Sequence, residues 1–215
     1  MCSVACSHDC PEVCLSRCSA TKGPPINFSK TVYLTYDDGP NLEVTPALLN
    51  LLEAAGATAT FFVNGVSFAN EGAIDLLKRM IASGHRIGNH GLTHEPDTCP
   101  NFCAMAETIA NLTGIKPHYV RPPYGDRRAV VTYAARHPDA PIAYWDLGFG
   151  DWDRVEVEEV RIRIKRELRD GMIILVHDGA SPDSEYKDRS QAIEITRILL
   201  DECKAAGLSV RRLPE

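Results

Sequence analysis

The 215-residue sequence predicts an α/β fold: seven mostly parallel strands in a sheet that is closed or nearly closed. Three observations predict it. Short runs rich in β-branched and aromatic residues alternate with stretches whose apolar residues recur at helical spacing. Glycines stop the helical stretches where a following strand begins. The chemically richest side chains fall just after the strands, where folds of this kind gather their active sites.

The elements follow in order. The run at 31–36 (TVYLTY) is the first strand and leads into Asp37-Asp38-Gly39-Pro40. The stretch 44–56 (VTPALLNLLEAAG) spaces its leucines as one helical face and ends at Gly56. ATATFFV at 57–63 is the second strand, and EGAIDLLKRMIASG at 71–84 repeats the helical design up to Gly84. HRIGN at 85–89, PHYVR at 117–121 and PIAYWDL at 141–147 supply three more strands, with helices at 102–113, 126–136 and 154–169 between and after them. MIILVH at 172–177 is the most hydrophobic strand. A helix at 188–206, apolar at Ile193, Ile195, Ile198 and Leu199, precedes the last strand at 208–213 (LSVRRL). That is one strand fewer than the eight-stranded barrel. The length fits one large domain over 31–215, preceded by a cysteine-rich segment at 1–30 that ends in the linker-like TKGPPINFSK.

A net charge of −6 and the lack of a basic stripe exclude a phosphate-binding surface, so no nucleic-acid partner is expected. No apolar run is long enough to span a bilayer. Eight cysteines, at 2, 6, 10, 14, 18, 99, 103 and 203, point to disulfides in an oxidising compartment, with free or lipid-modified thiols as the other reading. Cys203 is placed to tie down the lead segment, and Cys99 with Cys103 to close a local loop. The lead lacks the apolar core of a signal peptide, which fits a chain whose leader is missing. The sequons Asn27-Phe28-Ser29 and Asn111-Leu112-Thr113 fit secretion to the cell surface or wall. Oligomeric state is not readable.

Two adjacent aspartates at the end of an apolar strand are either a solvated turn or a working pair, because neighbouring ionised carboxylates near a core need a cation or a proton. Residues 89–96 (NHGLTHEP) set His90 and His94 four apart, the spacing that brings two side chains to one face of a helical turn. With Asp38 on the same rim they form a His₂Asp set suited to zinc with an open position. Such an ion lowers the pKa of a water and polarises a carbonyl. Asp37 is then the natural general base, and Arg121 the guanidinium that holds its charge and orientation. His177 is the candidate acid, with Asp151 to raise its pKa and fix its tautomer. The histidines at 8, 85, 118 and 137 read as structural or solvent-facing.

TYDDGP (35–40), HGLTH (90–94), RPPYG (121–125), DW (151–152) and ILVHD (174–178) stand in the order of the five motifs of the polysaccharide deacetylases. The chain resembles that family, the family-four carbohydrate esterases with the rhizobial nodulation deacetylase domain, over residues 30 to 213. The resemblance implies a distorted (β/α)7-type barrel and removal of N-acetyl groups from an acetylated amino-sugar polysaccharide. Chitin or chitooligosaccharide comes first as substrate, and peptidoglycan next. It implies Asp37 as base and His177 as acid, tuned by Arg121 and Asp151. Asp38, His90 and His94 would hold one divalent ion, zinc or another transition ion. Tyr124 would give an oxyanion-binding N–H, and Trp152 and Leu175 would wall the acetyl pocket. Two departures stand out. Gly91 replaces the Ser or Thr that usually steadies the metal loop, and Gly148 replaces an aspartate of the fourth motif. They leave open a carbohydrate-binding or cell-wall-associated descendant with weakened catalysis.

Overall fold

The computed structural model describes residues 30–95, 99–128 and 130–215. The cysteines of the lead segment and its proposed link to Cys203 lie outside the described residues.

Among the described residues, six parallel strands form one sheet: β1 (Thr31–Asp37), β2 (Thr60–Val63), β3 (Arg86–Asn89), β4 (Leu147–Gly148), β5 (Ile173–His177) and β6 (Ser209–Arg211). Their spatial order is β3-β2-β1-β5-β4, with β6 beside the first half of β1. Strand β1 is the axis of the fold: Tyr33–Asp37 pair with β5, and Thr35–Asp37 pair with β2. Because β1 is buried on both faces, Val32, Leu34 and Tyr36 point into one core while Thr35 and Asp37 are also sealed from water.

The fourth and fifth strand-like runs are thinner than their sequence predicts. The fourth shrinks to bridges at Val120, which pairs with Asn89 on one side and Ile142 on the other. Pro117, Pro122 and Pro141 explain this, since proline has no N–H for a ladder. Segment 142–147 leaves the pairing on one edge and resumes it as β4 against β5 on the other. The sheet thus curls towards a barrel that no continuous ladder closes, so seven predicted strands become six and two bridges.

Among the described residues, six α-helices cover the sheet: α1 (Thr45–Ala54), α2 (Glu71–Ala82), α3 (Cys99–Thr113), α4 (Val131–Arg136), α5 (Val157–Glu167) and α6 (Gln191–Ala205). Each matches a predicted stretch, with shifted ends. α4 starts five residues after the expected 126, because Asp126 accepts a hydrogen bond from the Arg128 N–H (2.9 Å) and holds a turn there. Helix α6 buries Ala192, Ile195, Ile198, Leu199 and Cys203, a stripe that packs on α1, α5 and the sheet. Each such Ile or Leu contributes about 1.5–3 kcal/mol by leaving water. A second, smaller core lies between α3 and α4, built on Cys99, Phe102, Val120, Val130 and Tyr133. Among the described residues, no helix is long and apolar enough to cross a membrane.

Candidate active site

The carboxyl ends of β1, β3 and β5 open on one cleft of about 670 Å³. Asp37, the last residue of β1, and Asp38, which turns the chain at φ 71°, both lie on its floor. Asp37 Oδ1 receives the Arg121 guanidinium at 2.8 Å. Arg121 is wholly buried, and its other N–H groups reach Thr35 Oγ1 (2.8 Å), Ala143 O (3.0 Å) and Tyr144 O (3.2 Å). The ring of Phe62 lies 4.0 Å beneath it. A charge so fully satisfied has one place to sit, and it fixes the Asp37 carboxylate by the same geometry.

His90 and His94 do converge on Asp38, but from a bent loop at 90–95 and not from a helical turn. The Nε2 atoms of His90 and His94 stand 3.4 and 3.1 Å from Asp38 Oδ1. A carboxylate oxygen and an imidazole nitrogen sharing a tetrahedral zinc lie about 3.3 Å apart. Asp38 Oδ1 is buried with no aligned hydrogen-bond donor, an orphan that a cation would satisfy. His90 Nδ1 lies 2.8 Å from the Arg121 carbonyl, which only accepts, so that nitrogen carries the proton and Nε2 keeps its lone pair. Burial holds the His90 imidazole below its usual pKa, against the pull of Asp37 and Asp38. Burial opposes ionisation of Asp38, yet His94 and His90 together hold its carboxyl below the ordinary range. A neutral imidazole beside an ionised carboxylate is the donor state a divalent ion requires, so the residues fit one.

Gly91 sits at φ +87°, where an L side chain is strained, and a Cβ there would come within 2.9 Å of Thr93 O and 3.0 Å of Asn101 Nδ2. The support that Ser or Thr would give at this position comes from two asparagines instead. Asn89 Oδ1 accepts the Gly91 N–H at 2.9 Å. Asn101, on α3, accepts the N–H groups of Leu92 (2.8 Å) and Thr93 (2.9 Å) and donates to Thr93 O (3.1 Å) and Glu95 O (3.2 Å). Sequence reading missed both, because a motif shows where a residue is absent and not which distant residue replaces it.

His177, at the end of β5, faces the cleft from the other side. Asp151 grips it twice: Oδ2 accepts the His177 backbone N–H at 2.7 Å, and Oδ1 lies 3.0 Å from Nδ1. Burial alone would lower this imidazole, but Asp151, then Asp37 and Asp38, outweigh it and push its pKa up to about 9. A cation held by Asp38 would offset part of that rise. Beneath the floor, burial raises the Asp178 carboxyl to about 7, although the Thr45 hydroxyl donates to it at 2.6 Å.

The walls are apolar and aromatic. Trp152 is half exposed and meets the His177 ring edge-on at 5.8 Å; Leu175 is buried beside it. Tyr124 takes a left-handed turn (φ 57°), packs its ring 4.6 Å from His94 and donates its hydroxyl to Asp183 at 2.8 Å. Trp145 is a wall residue that sequence reading passed over as part of a strand. A side chain at Gly148 would meet the Trp145 indole at 3.3 Å, so the missing aspartate of the fourth motif leaves room for that ring. Eight of the ten predicted site residues thus line one cleft, and the other two, Arg121 and Asp151, lie buried behind it, bonded to Asp37 and His177. The local loop expected of Cys99 and Cys103 is absent: both are free thiols on α3, with sulfurs 3.6 Å apart.

A parallel α/β sheet with buried carboxylates and imidazoles at its carboxyl edge has the acid–base groups of a hydrolase at the place where such folds keep their active sites. The sequence pattern of the polysaccharide deacetylases matches residues 27–141, and the chain belongs to that family. It is 30% identical over 204 residues to a chitooligosaccharide deacetylase of Bradyrhizobium sp. (strain ANU 289), covering 88% of this chain and 92% of that protein. It is 33% identical to the peptidoglycan-N-acetylglucosamine deacetylase PgdA of Listeria monocytogenes, covering 89% of this chain but 43% of that longer protein. The structure of the peptidoglycan deacetylase PdaC from Bacillus subtilis superimposes with a TM-score of 0.73 at 25% identity, covering 86% of this chain and 89% of the chain in that structure.

Proposed function

We propose that the chain is a zinc-dependent deacetylase that removes N-acetyl groups from N-acetylglucosamine residues, with chitooligosaccharides as the preferred substrate. The observation that carries the reading is the orphaned Asp38 oxygen 3.1–3.4 Å from two imidazole nitrogens, beside an Arg121-held Asp37 and opposite a raised His177. Asp38, His90 and His94 hold the ion. When bound, it supplies Lewis acidity to the acetyl carbonyl and lowers the pKa of a water.

The protein's own residues do the rest. Asp37 removes a proton from the attacking water, its orientation set by Arg121. The backbone N–H of Tyr124 donates to the oxygen on which charge develops. His177, protonated at neutral pH, delivers its proton to the departing amine, while Asp151 keeps its Nδ1–H directed inward. Leu175, Trp145 and Trp152 enclose the methyl of the acetyl group and exclude water.

Asp153, Asp183 and Glu185 line the cleft, and that acidity favours a neutral chitin oligomer, whose product is a cationic amine, over peptidoglycan with its anionic peptides. Acetate release from chitin oligomers and from peptidoglycan, each after chelation and after zinc return, tests the reading. Zinc-restored turnover that is faster on the chitin oligomer is expected. Turnover that survives complete chelation would remove the ion, and faster release from peptidoglycan would reverse the substrate order.

A further inference from the structure

Between α3 and α4, away from the cleft, three metal-ligating side chains meet. Cys99 and Cys103 are one helical turn apart on α3, with sulfurs 3.6 Å apart. His137, which follows α4, brings Nε2 to 3.4 Å from Cys103 Sγ. All three donor atoms lie within 4.8 Å of one another. Two thiolates sharing a tetrahedral zinc stand about 3.8 Å apart, and a thiolate and an imidazole nitrogen about 3.6 Å. The Cys99–Cys103 and Cys103–His137 spacings already come within a few tenths of an ångström of that geometry.

The cluster is built and not incidental. Cys99 is buried, and the Tyr133 ring stacks on His137 at 4.4 Å, which orients the imidazole. The His137 N–H also donates to Tyr133 O at 2.9 Å, tying the imidazole-bearing residue to α4. The Arg136 guanidinium reaches Cys99 Sγ at 3.9 Å, a donor directed at sulfur. None of these side chains lines the cleft or takes part in the reaction proposed above.

We infer that Cys99, Cys103 and His137 form a second zinc site, one that fastens α3 to α4. Two thiols lose their protons to solvent as the ion binds, His137 ligates as the neutral ring through Nε2, and a water completes the four positions on the half-exposed side. The ion welds the smaller core, where Cys99, Phe102, Val120, Val130 and Tyr133 meet. Asn101, the residue that clamps the 90–95 loop, lies between the two cysteines on the same turn of α3. The second ion therefore steadies the support of the first site without touching it.

Cobalt distinguishes the two sites, because Asp38, His90 and His94 contain no sulfur. The test uses the full chain with Cys2, Cys6, Cys10, Cys14 and Cys18 changed to Ser, so that the lead contributes no thiolate. Loading with cobalt is expected to bind two ions per chain and to give thiolate-to-cobalt charge-transfer absorption in the near ultraviolet. Cys103→Ser and His137→Gln should each lower the count to one, with that band lost or its cobalt affinity down by at least roughly 10–100-fold. His137 follows α4 and is only partly buried, so its variant should keep the far-ultraviolet circular dichroism of the parent. A single cobalt without the sulfur band overturns the inference, as does a band unchanged in Cys103→Ser. A Cys99–Cys103 disulfide in the freshly isolated protein, seen as a two-dalton mass loss, overturns it in favour of a redox pair. None of these readings depends on acetate release, so the inference and the proposed reaction stand or fall separately.

Discussion

Two buried histidines sit at opposite ends of the same parallel sheet and behave in opposite ways. His85 precedes β3 at the amino end; its Nδ1 accepts the Ala59 N–H at 3.1 Å, and burial, with Arg212 and Arg79 nearby, pushes its pKa down to about 4. His177 closes β5 at the carboxyl end, where Asp151, Asp37 and Asp38 overcome burial and raise it to about 9. Both are less than a tenth exposed, so burial is not what separates them. The difference is the sign of the charge each end collects. The amino end gathers arginines and closes its backbone, as where Arg86 Nε donates to Leu213 O at 3.1 Å. The carboxyl end gathers carboxylates and leaves Asp38 Oδ1, His94 Nδ1 and Asp178 Oδ1 without hydrogen bonds, whereas at the amino end the orphan among the described residues is His85 Nε2, on an uncharged ring. Unsatisfied buried acids are costly, and a fold keeps them where a cation or proton is to be handled.

The sharpest way to break this contrast is Asp37→Asn, which keeps a hydrogen-bonding partner for Arg121 but removes the base. Acetate release should fall about 10³-fold, within the range general bases supply, while zinc stoichiometry by elemental analysis stays unchanged. Unaltered turnover would place the base elsewhere. Next in size, Asn101→Ala removes five hydrogen bonds from the 90–95 loop without touching a ligand. Zinc affinity, measured by competition with a chelator, should weaken by roughly 10–100-fold, the scale for outer partners of metal ligands.

Asn101 also marks the limit of what the sequence tells. The rim itself was legible: strand ends at 36–38, 89–90 and 177 each carry their acids and imidazoles because a parallel sheet sends all its carboxyl ends to one side. The five motifs name ten residues, of which eight line the cleft and two, Arg121 and Asp151, are bonded behind it. What stayed hidden was replacement at a distance. Gly91 reads as a missing support until Asn89 and Asn101 are seen to hold the same loop, and Gly148 as a gap until Trp145 fills it. The thin fourth strand was hidden for a local reason, since the prolines at 117, 122 and 141 deny the ladder its N–H groups while leaving the β-like composition intact.

Asp151→Asn sharpens the comparison from the acidic side. Without the carboxylate, the His177 imidazole falls back towards its ordinary value near 6.5, and the alkaline limb of the rate profile moves to lower pH. At pH 8 the protonated fraction, and the rate with it, should drop by about tenfold or more, with a smaller loss at pH 6. A uniform loss at every pH would mean that Asp151 only positions the ring.

The smallest effect belongs to the other end. His85→Leu leaves the Ala59 N–H without its acceptor and should cost about 1–3 kcal/mol of stability, with acetate release by the folded enzyme unchanged. The pH dependence is the more telling readout. His85 is neutral in the fold down to about pH 4, whereas the unfolded chain takes up that proton near 6.5, so its contribution is whole above 6.5 and fades as pH falls to 4. His177 has the opposite sign: the fold favours its charged form, and its contribution is whole below 6.5 and fades as pH rises through about 9. Removing His85 should therefore flatten the acid side of the stability curve by up to roughly 3 kcal/mol and leave the alkaline side alone. Denaturant midpoints at pH 4, 6.5 and 9 measure both. If the variant loses stability between pH 6.5 and 4 as steeply as the parent, the acid sensitivity arises at the carboxyl end, and the two histidines do not divide the molecule as their surroundings indicate.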